Sequence, residues 1–172
     1  DFYLPVSSLL LNPTIKEIAE LLESEEQTRV HDKPVFCLRE GTASPTLILI
    51  HDGEGEILLY KNLSQAITSG IPVYGVQPKR SRYHPILHTR ISDMVDYYAS
   101  HIKKTCSGPY VIGGLCIGGF LAFEVARKLS LMGEQVILVV LLDAAHVKLP
   151  MKSIVKIRLG NFKKALDDFS QL

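Results

Sequence analysis

Residues 113 to 120 read GGLCIGGF: four glycines in eight positions, grouped around a single cysteine. The segment follows the apolar run Pro109-Tyr110-Val111-Ile112 and precedes Ile117 to Leu131, where apolar residues recur at helical spacing. Small residues on both sides of one reactive side chain, between a strand and a helix, restrict the chain to a sharp turn in which neighbouring backbone comes very close. Gly114-Leu115-Cys116-Ile117-Gly118 has the Gly-x-nucleophile-x-Gly form of a nucleophile elbow. Gly114 and Gly118, two residues either side of Cys116, avoid the clash that a Cβ would cause there.

The rest of the chain agrees with such a turn. TLILIH (46–51), PVYGVQ (72–77), YVIGG (110–114) and VILVVLLD (136–143) are short, almost wholly apolar runs that read as buried strands. Between them, 57–67, the stretch from Ile91 to Ile102 and 117–131 carry helical spacing, with Asp93 early and Lys103-Lys104 late in the second, as the helix dipole prefers. Gly108-Pro109 stops that helix, and Gly133 is placed to end the third. Strands apolar throughout and alternating with helices predict an α/β fold with a parallel sheet covered on both faces. Near the start, LNPTIKEIAELLES (11–24) predicts an amphipathic helix with Asn12 as N-cap and Pro13 at the first helical position. Charged residues then dominate ESEEQTRVHDK (23–33), which reads as a linker and a domain boundary.

Composition excludes several function classes. Nineteen Lys and Arg against 18 Asp and Glu give a net charge of +1 with no block of like charge, so nucleic acid and anionic membrane are not expected partners. The N-terminus lacks a signal-peptide pattern and the longest apolar run is too short to span a bilayer, which predicts a cytoplasmic protein. Cys37, Cys106 and Cys116 form neither a C-x-x-C nor a zinc-spaced set, so no metal site is expected and the thiols are read as reduced. Gly-x-Gly-x-x-Gly is absent, and Gly119 stands where a P-loop needs lysine, which disfavours dinucleotide and phosphate binding.

Cys116 is therefore the candidate nucleophile. A helix N-terminus favours thiolate, and the Ile117 amide can face an oxyanion. The alternative is a structural cysteine in a tight turn. Asp143 ends an apolar strand and would emerge on the same sheet edge as Cys116, where it could orient a histidine; the alternative, less favoured, is a cap for the next element. HDGEGE (51–56) comes after the first strong strand, and Gly53 is the candidate second oxyanion donor, or else part of an ordinary turn.

Residues 35–150 resemble the thioesterase domains that end nonribosomal peptide synthetases and polyketide synthases. GGLCIGGFLAFEVARKL is similar to their cysteine-bearing subset, with LYKNLSQAI, VYGVQ and LVVLLDA as further landmarks. Residues 2–22, FYLPVSSLLLNPTIKEIAELL, resemble the end of a peptidyl or acyl carrier domain. The resemblance implies three segments: a carrier tail at 1–23, a linker at 24–34, and a thioesterase domain of α/β-hydrolase fold at 35–172 whose lid begins at about 147–172. It implies Cys116 as nucleophile, Asp143 as its acid, 27 residues further on, and the amides of Gly53 and Ile117 as oxyanion donors. The family's histidine is expected beyond residue 172 and its phosphopantetheine-bearing serine before residue 1, and both chain ends read as cut. The implied function is release of an acyl or peptidyl chain, by hydrolysis or cyclisation, from the phosphopantetheine arm of an upstream carrier domain, through an acyl-cysteine. No cofactor is expected on the chain itself, and the segment alone is expected to turn over poorly without its base. Two rival readings are a stand-alone acyl hydrolase and a non-catalytic module that binds carrier or acyl chain.

Overall fold

The computed structural model describes residues 8, 12, 14–23, 33–80, 84 and 86–144. The expected lid, the linker segment 24–32 and His146 lie outside the described residues. Helix α1 spans Ile15–Glu23. Its N-cap is Thr14 rather than the expected Asn12. The Thr14 hydroxyl accepts from Glu17 N at 3.2 Å, and the Glu17 carboxylate accepts from Thr14 N at 2.9 Å, which together make a capping box. Asn12 instead donates its backbone N–H (2.9 Å) and its Nδ2 (3.1 Å) to the Ser8 carbonyl.

Five strands come next: β1 (Val35–Arg39), β2 (Thr46–Ile50), β3 (Val73–Val76), β4 (Tyr110–Leu115) and β5 (Val136–Leu142). They form one sheet in the order β1-β3-β2-β4-β5. β3, β2, β4 and β5 run parallel, as expected, whereas β1 pairs antiparallel with β3 at the edge. Apolar runs alone predict no strand at β1; in VFCLR only Phe36 is buried, Val35 and Leu38 are half-buried against opposite cores and Cys37 is exposed, so no long apolar run marks this edge strand. The helical stretch after β2 is a single 3-10 turn, Leu58–Tyr60, running into the short α2, Lys61–Ala66. α3 is Ile91–Thr105 and α4 is Ile117–Leu131.

β2 is buried along its whole length because its two sets of alternating side chains enter two different cores. Ile48 and Ile50 join Val76 and Ile112 under α3 and α4, where Tyr98, Ile102, Leu121, Val125 and Leu129 pack. Leu47 and Leu49 point the other way, to Ile57, Tyr60, Ile67, Val73 and Val111. Each fully buried isoleucine contributes roughly 1.5–3 kcal/mol. α4 ends at Gly133, whose φ of +83 permits the reversal, with Gly133 N donating to Ser130 O and Glu134 N to Leu129 O. β5 departs from the expectation of a buried strand: it is an edge among the described residues, and Ile137 and Leu141 are exposed.

Candidate active site

Parallel strands deliver their C-terminal ends to one edge, and the strand order places three consecutive turns there: after β2, after β4 and after β5. The middle turn carries Cys116, the single residue between β4 and α4, with φ 56 and ψ −121. A non-glycine residue at positive φ costs about 1–3 kcal/mol and persists only where its surroundings hold it. Here Cys116 N donates to Leu142 O at 2.9 Å, and the preceding Leu115 N donates to the Tyr60 hydroxyl at 2.8 Å. That hydroxyl in turn donates to Ile50 O at 2.8 Å, so Tyr60 ties the end of β2 to the base of the elbow. Burial pushes the Tyr60 phenol up to about 12, keeping it a neutral donor.

The glycines act through close approach. A Cβ on Gly114 would lie 2.3 Å from the Gly118 carbonyl, and one on Gly118 would lie 2.2 Å from His51 O. A Cβ on Gly119 would lie 2.7 Å from Ala144 Cβ, so the start of α4 is packed against the turn after β5. Cys116 and its neighbour Ile117 are exposed.

Asp143 directly follows β5, with φ 45 and an exposed side chain. Leu142 is the register partner of Leu115, so Asp143 and Cys116 occupy equivalent positions on adjacent strands. The turn after β2 brings Gly53 beside the elbow, where a Cβ on it would meet Ile117 Cγ2 at 3.9 Å. Among the described residues, neither the Gly53 nor the Ile117 amide has a hydrogen-bond acceptor of its own. The structure thus brings together Cys116, Ile117, Gly53 and Asp143, with Gly114 and Gly118 shaping the turn.

His51 lies beneath the same turn, 2% exposed, with both ring nitrogens engaged. Its Nδ1 donates to Asp52 O at 2.6 Å, which leaves Nε2 to accept from the Tyr98 hydroxyl at 2.7 Å. Burial, reinforced by the Arg80 charge and partly offset by the Asp52 carbonyl, lowers its pKa to about 4. A buried neutral ring with no free nitrogen is a structural strut and not a general base. His88 packs against Tyr97 and Tyr98, and His101 meets the Tyr97 carbonyl within its own helix. Among the described residues no histidine bonds Cys116 or Asp143.

Two residues that support these turns escaped sequence reasoning. Tyr60 sits in what reads as an ordinary helical stretch, and Arg80, in the polar run QPKRSRY, pairs with Glu56 from 24 positions away. Nothing local signals either. Among the described residues no set of three His, Cys, Asp or Glu side chains could hold a metal ion, and no helix is long and apolar enough to cross a membrane.

Comparison with known proteins agrees with this geometry. The family profile described as Thioesterase domain matches residues 45–154. Aspulvinone E synthetase melA of Aspergillus terreus is 33% identical over 156 residues, covering 90% of this chain and 17% of that protein. Atromentin synthetase greA of Suillus grevillei is 32% identical over 138 residues, covering 77% of this chain and 14% of that protein. The chain thus spans less than a fifth of either relative. Among solved structures, a four-domain nonribosomal peptide synthetase bound to AMP and glycine superposes with a TM-score of 0.66 at 28% identity, over 83% of this chain and 11% of that one. The NocB thioesterase domain from the nocardicin cluster does so with a TM-score of 0.58 at 26% identity, over 64% of this chain and 50% of that one. An elbow closed by glycines at the end of a mostly parallel sheet is thus accompanied by relatedness through most of that sheet, and the chain belongs to the thioesterase domain family, whose members are hydrolases acting on thioesters.

Proposed function

We propose that this chain is the releasing segment of a multidomain synthetase, freeing an acyl or peptidyl chain from the phosphopantetheine arm of an upstream carrier domain in the same cytoplasmic polypeptide. The observation that carries the reading is Cys116 itself: exposed, held at positive φ, with backbone packed where any Cβ on Gly114 or Gly118 would have to go. In the first step the Cys116 thiolate adds to the carrier thioester carbonyl. Negative charge gathers on the carbonyl oxygen, facing the amides of Gly53 and Ile117. Collapse breaks the C–S bond to the arm, whose sulfur leaves and takes up a proton, and the chain remains as an acyl-cysteine. Water, or an amine or hydroxyl of the chain, then attacks that thioester and regenerates Cys116. Asp143 orients the histidine that moves these protons, supplied from outside the described residues.

The carrier partner finds support in the extent of the match to aspulvinone E synthetase. Coverage of 90% of the chain reaches at least into α1 and across to the sheet, so the segment before the thioesterase domain also has its counterpart in a synthetase. A stand-alone hydrolase would give no reason for that. By the same likeness the released chain is the synthetase's own product, as the relatives' names give aspulvinone E and atromentin for theirs.

Brief labelling of the full-length protein with iodoacetamide, followed by peptide mapping, tests the nucleophile. Cys116 is expected to react first. Cys37 is exposed, but burial and then the Glu40 charge raise its thiol pKa, and burial pushes the Cys106 thiol up to about 12. An acyl thioester should then leave its acyl group on Cys116 and on neither other cysteine. Equal labelling of the three, or acylation elsewhere, sinks the proposal.

A further inference from the structure

The turn after β2 is closed from within and gripped from outside. Asp52 Oδ1 accepts the N–H groups of Glu54 at 3.0 Å and Glu56 at 3.1 Å, and Gly55 N donates to Asp52 O at 3.1 Å. Outside it stands Arg80, just past β3 and only 4% exposed. Its Nη1 donates to Glu56 Oε1 at 2.9 Å, and its Nη2 donates to the Gly55 carbonyl. Gly55 has φ +79, and a Cβ there would come within 2.9 Å of Pro78 Cγ and 3.2 Å of Arg80 Nη2. The guanidinium therefore grips two successive residues of the turn at close quarters.

Burying such a pair is a poor way to gain stability, because desolvation of both charges offsets their attraction. A planar fork holding a carboxylate and the adjacent carbonyl does fix orientation. Across the turn from that grip lies Gly53, beside Ile117. The Arg80 grip therefore acts on the element whose direction matters at the elbow.

We propose that Arg80 is a positioning residue: through Glu56 and the Gly55 carbonyl it sets the direction in which the Gly53 amide faces the carbonyl oxygen bound at Cys116. The inference rests on the reading of Cys116 as nucleophile with Gly53 and Ile117 as its oxyanion donors. Arg80 itself touches neither substrate nor thiol; it decides whether the second donor is aligned when charge develops.

Two reactions of the same thiol separate this role from a merely structural one. Acylation of Cys116 by an acyl N-acetylcysteamine thioester passes through an oxyanion, whereas alkylation by iodoacetamide displaces iodide and forms none. Both rate constants are measured by mass spectrometry on the full-length protein. Arg80→Met should slow acylation by about 10- to 100-fold, the loss that a misplaced donor brings, with alkylation unchanged. Arg80→Lys should fall between, since an ammonium reaches Glu56 but lacks the fork. Glu56→Gln, nearly isosteric, should slow acylation less than Arg80→Met and again spare alkylation. Acylation unchanged in Arg80→Met, or both reactions slowed alike, overturns the proposal. Should Arg80→Met fail to fold, Arg80→Lys and Glu56→Gln decide by the same ratio. If thioester leaves no acyl group on Cys116 of the unaltered protein, the reading of the nucleophile falls, and this inference with it. Normal acylation there, with no loss in the Arg80 and Glu56 variants, removes the inference alone.

Discussion

The turn after β2 and the turn after β4 lie against each other on one sheet edge, yet opposite means hold them. At 114–119 the constraint is the absence of side chains: backbone meets backbone where Cβ atoms would stand, and the cysteine is forced to positive φ. At 51–56 the constraint is chiefly the presence of side chains: Asp52, Glu56, Arg80 and His51 with Tyr98 bond the turn into place, with Gly55 at φ +79 as the exception. Tyr60 joins the two, bonding Ile50 O on one side and Leu115 N on the other. Added atoms should therefore break the elbow, whereas, Gly55 apart, removed atoms or altered charges should break the loop.

The largest effect is expected at Gly118. A Cβ there would lie 2.2 Å from His51 O and 2.8 Å from Ile50 O, both backbone atoms of the neighbouring strand end, which no rotamer change can relieve. Gly118→Ala should cost about 4 kcal/mol or more, beyond the common range for a single substitution, and should show as a collapse of the urea midpoint or of folded yield. A midpoint close to that of the unaltered protein would mean that the elbow is looser than its contacts imply.

Acid should act through a group of the loop. The buried His51 has a folded pKa of about 4 against an ordinary value of 6.5. Between those values the unfolded chain binds the proton and the folded one does not. Stability is therefore fully present above pH 6.5 and falls as pH drops toward 4, by about 3 kcal/mol in total. Urea titrations between pH 7 and 5 should show this slope, and it should flatten in His51→Gln. His88, whose pKa burial also lowers, adds a smaller slope in the same direction that the variant leaves in place. Stability that does not change across that range would remove His51 from the account.

These two regions also differ in how far the sequence disclosed them. The elbow was legible because its constraint is local: Gly114, Cys116 and Gly118 lie within five residues, and a strand and a helix with clear periodicities flank them. α4 keeps its expected limits for the same reason. The loop was legible only as a glycine-bearing turn, because the groups that shape it arrive from elsewhere: Arg80 from beyond β3, Tyr98 from α3. Direction was hidden too, since nothing in VFCLR specifies an antiparallel partner. At α1 the capping box was written in the sequence as Thr14-Ile15-Lys16-Glu17, and Asn12 and Pro13 point to a start two residues too early.

The smallest expected effect sharpens the contrast most, because it concerns a glycine in the loop instead of the elbow. A Cβ on Gly53 would find only Ile117 Cγ2, at 3.9 Å, an ordinary van der Waals contact, and Gly53 is not among the glycines at positive φ. Neither close approach nor backbone strain therefore demands glycine at this position. Gly53→Ala should leave stability within about 0.5 kcal/mol of the unaltered protein, as surface substitutions do. It also keeps the backbone N–H, so an oxyanion donor at this position survives the change, and acylation of Cys116 by a thioester should be little altered. A large loss of stability would show that the loop is held by steric closeness beyond Gly55, as the elbow is throughout, and the comparison between the two turns would fail. Full stability with acylation lost would instead mean that the space beside Ile117, and not the amide alone, admits the reacting carbonyl. Thermal unfolding followed by circular dichroism, set beside acylation rates from intact mass, separates these outcomes.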